Sequence, residues 1–196
     1  MISHDLKCVF IHIPKCAGTS VYKTLKLNFL GSGHTPASKR SEFLDKGYFS
    51  FSFVRNPWDR IASSYRYFRS MQPEDRWYKG NEKLSNFAKE LSFNDFVHMV
   101  PEFQKMMTRE KGSVRSGIHF QPFSYFLDRP VDFIGKMENI NRDYIKICSK
   151  LNTRIKPLKK VNTTNSFNYQ DHYTKESRNL VYNLYYKDIE QYNYKF

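Results

Sequence analysis

Near its start the chain carries a compact apolar run, Cys8–Ile13, interrupted only by His12 and closed by Pro14. A run of that length, bounded by proline, predicts a short buried strand. Thr19 or Ser20 can then cap a helix, which the pattern carries to about Leu30. The next six residues, Gly31-Ser32-Gly33-His34-Thr35-Pro36, have the composition of a loop. A second strand is predicted over Tyr48–Val54, YFSFSFV, where bulky and small side chains alternate. Asn56-Pro57 ends it, and Pro57 suits the first turn of a helix. In that helix Ile61, Tyr65 and Phe68 fall at i, i+4 and i+7, the spacing of one buried face.

The pattern weakens after Met71. Residues Met71 to Asn86 are polar and charged and predict an exposed loop. Short helices are predicted over Phe93–Met99 and Glu102–Met107, and a further loop over Ser113–Phe120. A short strand follows at Val131–Gly135. Ile140, Tyr144, Ile147, Cys148 and Leu151 keep a helical period, whereas Thr153–Tyr169 is polar, basic and without period. Leu180, Leu184 and Ile189 mark a last helix over Lys175–Tyr192. Strands alternating with helices predict an α/β fold. We expect a single domain over residues 1–196, with a P-loop-like parallel sheet core flanked by helices on both faces.

Two of the turns between these elements carry chemistry. In the first, PKCAGTS, a strand passes through small residues into a helix. Successive backbone N–H groups in such a turn, followed by a helix N-terminus, form a nest for an anion. Ala17 and Gly18 allow close backbone approach, Lys15 supplies a point charge, and Thr19 and Ser20 add hydroxyl donors. An ordinary strand–turn–helix with a capping Thr-Ser is the plain alternative. The ATP and GTP loop G-x-x-x-x-G-K-[ST] is absent, because here the lysine precedes the glycine. In the second turn, RNPWDRIASSY, Arg55 sits at a strand end, where open α/β sheets bind ligands. Its guanidinium can fork onto a phosphate. Ser63, eight residues on, could reach the same anion. Arg60 and Arg66 are as well explained by solvation.

Charge narrows the partner. Lys and Arg number 32 against 19 Asp and Glu, a net charge of +13. That points to an anionic partner, such as a nucleotide, a nucleic acid, an acidic polysaccharide or a membrane surface, without ranking them. With 40% hydrophobic and 26% charged residues the composition is globular. The three cysteines, Cys8, Cys16 and Cys148, are odd in number and form no C-x-x-C pair, which favours a reducing compartment. The apolar run at 8–13 is too short for a signal-peptide core or a membrane span. A soluble, cytoplasmic protein without stable membrane insertion is expected. No H-E-x-x-H or clustered Cys/His spacing suggests a metal.

Taken together, the two turns resemble the sulfotransferases that use 3′-phosphoadenosine-5′-phosphosulfate (PAPS), in particular the carbohydrate branch. In that family a loop like PKCAGTS holds the 5′-phosphosulfate, and a segment like RNPWDRIASSY holds the 3′-phosphate. HFQPFSYFL at 119–127, DFIGKMENINRDY at 132–144 and the terminal HYTKESRNLVYNLYYKDIEQYNY extend the likeness over most of the chain. Met71 to Ser116 falls outside it and is where acceptor specificity is expected.

The resemblance implies roles. Lys15 contacts the 5′-phosphate and the bridging oxygen that leaves. Thr19 and Ser20, with Cys16, Ala17 and Gly18 of the same loop, bind the 5′-phosphate, and Arg55 and Ser63 bind the 3′-phosphate. The basic loop KPLKKVNTTN closes over the nucleotide, with Lys159, Lys160 and Thr163 as further contacts. A neutral imidazole is the usual base for a hydroxyl acceptor. Related carbohydrate enzymes place one in the interval that holds His34, and His119 is the second candidate. Trp58 lines the cofactor site or packs beneath its helix, and His12 packs in the strand.

The implied reaction moves a sulfuryl group from PAPS to a hydroxyl of a carbohydrate or glycolipid acceptor, without a metal and without a nucleic-acid partner. Three other readings stay open. A P-loop nucleotide kinase would need Mg²⁺ and ATP. A basic nucleic-acid-binding module would show strongly salt-dependent binding. A protein of the same fold that only binds would lack turnover.

Overall fold

A computed structural model describes residues 1–29, 33–107, 116–158 and 168–196. The chain divides into two compact units, each built from two stretches: Met1–Arg55 with Phe123–Asn165, and Asn56–Pro122 with Ser166–Phe196.

The first unit holds a four-stranded sheet in the order β1-β2-β3-β4. Its strands are β1 (Ile2–Ser3), β2 (Cys8–Ile11), β3 (Phe49–Val54) and β4 (Phe133–Lys136). β2, β3 and β4 run parallel, with Phe10 opposite Phe51 and Phe51 opposite Phe133, while β1 lies antiparallel on the edge. With it fold helices α1 (Gly18–Leu25) and α2 (Ser41–Leu44). This is the expected α/β architecture, a mostly parallel sheet flanked by helices.

The alternation in β3 does not separate a wet face from a dry one. Phe51, Phe53, Ser50 and Ser52 are all buried. A strand covered on both faces is normal in a parallel sheet, and its polar atoms must then find partners. Ser52 Oγ donates to the Ile11 carbonyl at 2.7 Å. Ser50 donates from both N and Oγ to Asp132, at 2.7 and 2.6 Å, which pins the chain entering β4.

α1 departs from the sequence expectation at both ends. It starts at Gly18, with Ala17 in the cap position and no side-chain cap, so neither Thr19 nor Ser20 precedes it. It ends at Leu25 rather than near Leu30, because Lys26 turns left-handed (φ 54°) and donates back to the Tyr22 carbonyl. Asn28 then pairs with Ile2 at the sheet edge.

The second unit is helical. It comprises α3 (Pro57–Ser70), α4 (Glu82–Glu90), α5 (Phe93–His98) and α6 (Val100–Lys105). In the first unit follow α7 (Phe123–Phe126) and α8 (Ile140–Lys150), and α9 (Lys175–Gln191) returns to the second. α3 begins as expected: Pro57 occupies the first turn, and the Asn56 side chain accepts from Trp58 N–H at 3.1 Å. Ile61 and Phe68 are buried and Tyr65 half-buried on the expected face.

α4 lies partly inside the stretch expected to be an exposed loop. Leu84 and Ala88 are its buried stripe, a spacing too sparse to stand out among charged neighbours. Arg60, for which solvation is the plain reading of the sequence, is 1% exposed. Its guanidinium donates to the carbonyls of Gln121 at 2.8 Å and His119 at 3.1 Å. No helix among the described residues is long and apolar enough to cross a membrane.

Candidate active site

The first unit brings together the loop after β2, the end of β3 and the segment around His34. Between Ile11 and α1 the chain turns through two residues with positive φ, Lys15 at 65° and Ala17 at 59°. Left-handed backbone costs a non-glycine residue about 1–2 kcal/mol. Such strain persists where the surroundings impose it, and it concentrates at functional sites. Cys16 between them is buried, and its thiol donates to the Pro14 carbonyl at 3.6 Å.

α1 follows at once. The first four N–H groups of any α-helix lack intrahelical acceptors. Here no side chain caps them and the first turn holds no acidic residue. Gly18 is buried, and Lys15, Ala17, Thr19 and Ser20 are half-buried. The loop therefore offers main-chain donors, two hydroxyls and a lysine, without a carboxylate of its own to compete for them. That combination suits an anion.

Arg55, directly after β3, donates from Nη1 to the Lys15 carbonyl at 3.1 Å. The sequence leaves the relation of these two cationic residues open. The hydrogen bond places both at the same end of neighbouring parallel strands, where such sheets bind ligands.

His34, which follows α1 in the chain, reaches the residue just before the turn. Its Nδ1 lies 3.1 Å from the His12 carbonyl. A carbonyl can only accept, so Nδ1 carries the proton, and in the neutral ring Nε2 carries the lone pair. The His12 and His34 ring centroids are 4.3 Å apart. His12 packs in the strand region as expected and is 8% exposed.

The other expected residues that the structure describes belong to the second unit. Ser63 sits half-buried on α3 in the second unit. His119, also in the second unit, is 7% exposed. It stacks on Tyr67 with centroids 5.8 Å apart and meets the edge of Phe68. Its Nδ1 donates to the Ser116 carbonyl at 3.3 Å. Trp58 packs beneath the start of α3, with Nε1 donating to the Arg178 carbonyl at 3.0 Å and its ring against Phe196. Lys159, Lys160 and Thr163 lie outside the described residues. Among the described residues no group of three or more His, Cys, Asp or Glu is arranged to hold a metal ion.

The model of a family described as the sulfotransferase family matches residues 1–195, across both units. An uncharacterized protein of Archaeoglobus fulgidus is 28% identical over 127 residues, which cover 63% of this chain and 84% of that protein.

Proposed function

The chain belongs to the sulfotransferase family, and from that premise we propose that it transfers a sulfuryl group from PAPS to a hydroxyl of a carbohydrate-type acceptor, with His34 as base. The observation that carries the reading is the hydrogen bond from Arg55 to the Lys15 carbonyl, which unites two phosphate-suited elements in one site. PAPS carries a phosphosulfate at one end of its nucleoside and a phosphate at the other, so a donor site needs two anion-binding elements. The loop from Lys15 to Ser20 takes the 5′-phosphosulfate, through its main-chain donors and the Thr19 and Ser20 hydroxyls. Arg55 takes the 3′-phosphate.

Transfer is an in-line displacement at sulfur. The acceptor hydroxyl forms the new S–O bond while the bond from sulfur to the bridging phosphate oxygen breaks. His34 Nε2 accepts the hydroxyl proton, and 3′-phosphoadenosine-5′-phosphate (PAP) leaves. Negative charge grows on the bridging oxygen as that bond breaks, and the Lys15 ammonium stabilises it there. Interactions that strengthen as charge develops accelerate the step most. His34 is suited to its part because its Nδ1–H is held by a backbone carbonyl, which keeps the basic nitrogen at Nε2.

The resemblance also assigns Ser63 to the 3′-phosphate and Lys159, Lys160 and Thr163 to a loop over the nucleotide. Those assignments, and a base role for His119, rest on the resemblance and on side-chain chemistry alone. A metal-independent reaction in a cytoplasmic protein, acting on a polysaccharide, glycolipid or related sugar, completes the reading. Incubation with ³⁵S-labelled PAPS and a panel of glycans, glycolipids, phenols and peptides tests it. Label should appear on a sugar hydroxyl. Transfer to phenols or peptides alone would remove the carbohydrate assignment, and no consumption of PAPS with any acceptor would remove the donor.

A further inference from the structure

We propose that His12 is a positioning residue that joins the donor loop to the base, and that position 18 is glycine because the His12 ring occupies the space a side chain would need. The inference rests on the reading of Lys15–Ser20 as the donor loop and His34 as the base.

The glycine of a phosphate loop ordinarily has one of two explanations. Either its backbone adopts a left-handed conformation, or it lets the main chain approach the anion. The first does not apply, because Gly18 is not among the residues with positive φ. A third explanation is visible in the packing. A Cβ added at Gly18 falls inside the His12 imidazole, overlapping Nε2 and Cδ2.

The ring has little room to retreat. His12 stacks on Phe10 with centroids 5.5 Å apart, and Phe10 stacks on Phe51 at 5.0 Å. Phe10 and Phe51 are fully buried in adjacent strands. His34 lies at 4.3 Å from the His12 ring, and its Nδ1–H is bound to the His12 carbonyl. An aromatic column thus runs from the sheet core through His12 to the base. The same imidazole fills the place beside Gly18, at the N-terminus of α1. One residue sets both the seat of the donor loop and the orientation of His34. Close packing makes such a column respond to the loss of a single ring.

A double-mutant cycle separates this from the ordinary explanation. PAP affinity and melting temperature are measured for the wild type, Gly18→Ala, His12→Ala and the pair. Gly18→Ala should weaken PAP binding by about tenfold or more and lower the melting temperature, or fail to fold. The pair should fold and bind PAP within about twofold of His12→Ala alone, because the added methyl costs little once the ring is gone, the non-additivity a cycle reads for residues in contact. A pair as weak or as unfolded as Gly18→Ala would overturn the inference, because the methyl would then offend the anion or the main chain and not the ring.

The link to the base is read from the imidazole ¹⁵N spectrum of His34. The wild type should show protonated Nδ1 and bare Nε2, and His12→Ala should change that signature. An unchanged His34 spectrum in His12→Ala would break the link. Failure of the underlying reading looks different. A wild type that ignores PAP rejects the donor site, while the melting temperatures and the spectrum still decide the role of His12.

Discussion

Arg55 donates to the main-chain carbonyl of Lys15 across 40 positions of sequence, at 3.1 Å. On the proposed reading the bond gives Arg55 two tasks: it braces the donor loop, and it presents a guanidinium beside that loop. Arg55→Ala should therefore weaken PAP binding by about 10–100-fold, the loss of one or two charge-assisted hydrogen bonds. Arg55→Lys should recover only a small part, since an ammonium on a flexible stem lacks the guanidinium's rigid planar fork. Calorimetric titration with PAP decides it. Unchanged affinity in Arg55→Ala would place the 3′-phosphate elsewhere.

Lys15 is the test of leaving-group charge. Because its φ is 65°, Lys15→Ala would keep the left-handed strain, and glycine is the cleaner replacement. Lys15→Gly should lower turnover about 10²–10³-fold, the usual effect of removing one group that stabilises developing charge. Stability should change by less than about 1 kcal/mol, because relief of strain is offset by the flexibility of glycine. Product formation from PAPS, set beside a melting curve, checks both halves. Near-normal turnover would end the assignment.

For the base, asparagine is the informative substitution at His34. Its amide can still donate to the His12 carbonyl, but it offers no basic nitrogen. Turnover should fall about 10²–10⁴-fold, the range for general-base catalysis, with PAP affinity retained. The matching His119→Asn variant should leave turnover largely intact if it folds. The reverse pattern would exchange the two roles.

The second unit makes a pH prediction. Tyr185 is buried and donates from its hydroxyl to the Phe120 carbonyl at 2.6 Å. Burial raises its pKa above the ordinary phenol value; Asp188 adds to the rise, while the Arg60 charge and the Gln104 hydrogen bond oppose it. The folded state thus holds this proton more tightly than the unfolded chain. The stability it contributes is full below about pH 10 and is lost as pH rises beyond that value towards the folded pKa. Tyr185→Phe should cost about 1–2 kcal/mol at neutral pH, by leaving the carbonyl without this donor, and should flatten part of the alkaline decline. Some decline remains, since burial also pushes Tyr192 up to about 12 and raises Tyr173. Denaturant titrations between pH 8 and about pH 11 measure it, and an identical pH slope in Tyr185→Phe would contradict the assignment.

What the sequence discloses follows from how local each cause is. The entry to α3 was legible because its signals, Asn56 and Pro57, act within one turn. The strand–turn–helix from β2 into α1 was legible because a strand, small residues and a lysine are contiguous. The early end of α1 was not, since the left-handed turn falls on Lys26, which carries no such signal, and is held by a carbonyl within the helix. Nor was the burial of Arg60: composition reads a charge in a polar helix as solvated, and only the fold brings the carbonyls of His119 and Gln121 to it. The serines of β3 alternate as a half-exposed strand should, yet they are buried because Ile11 and Asp132 satisfy them. At the site, the sequence offers His34 as a candidate by its chemistry and its place in the family pattern. Its tautomer could not, because that depends on a carbonyl 22 residues away.

The most direct test of a PAPS site is thermal unfolding with PAP, with ATP, and with ATP plus Mg²⁺, each in large excess. A ligand at about a hundred times its dissociation constant stabilises the folded state by about 2.7 kcal/mol, a shift of several degrees in a small domain. PAP alone should raise the melting temperature, with no requirement for Mg²⁺. No shift with PAP and a clear one with ATP plus Mg²⁺ would contradict the donor site and point to a nucleotide kinase.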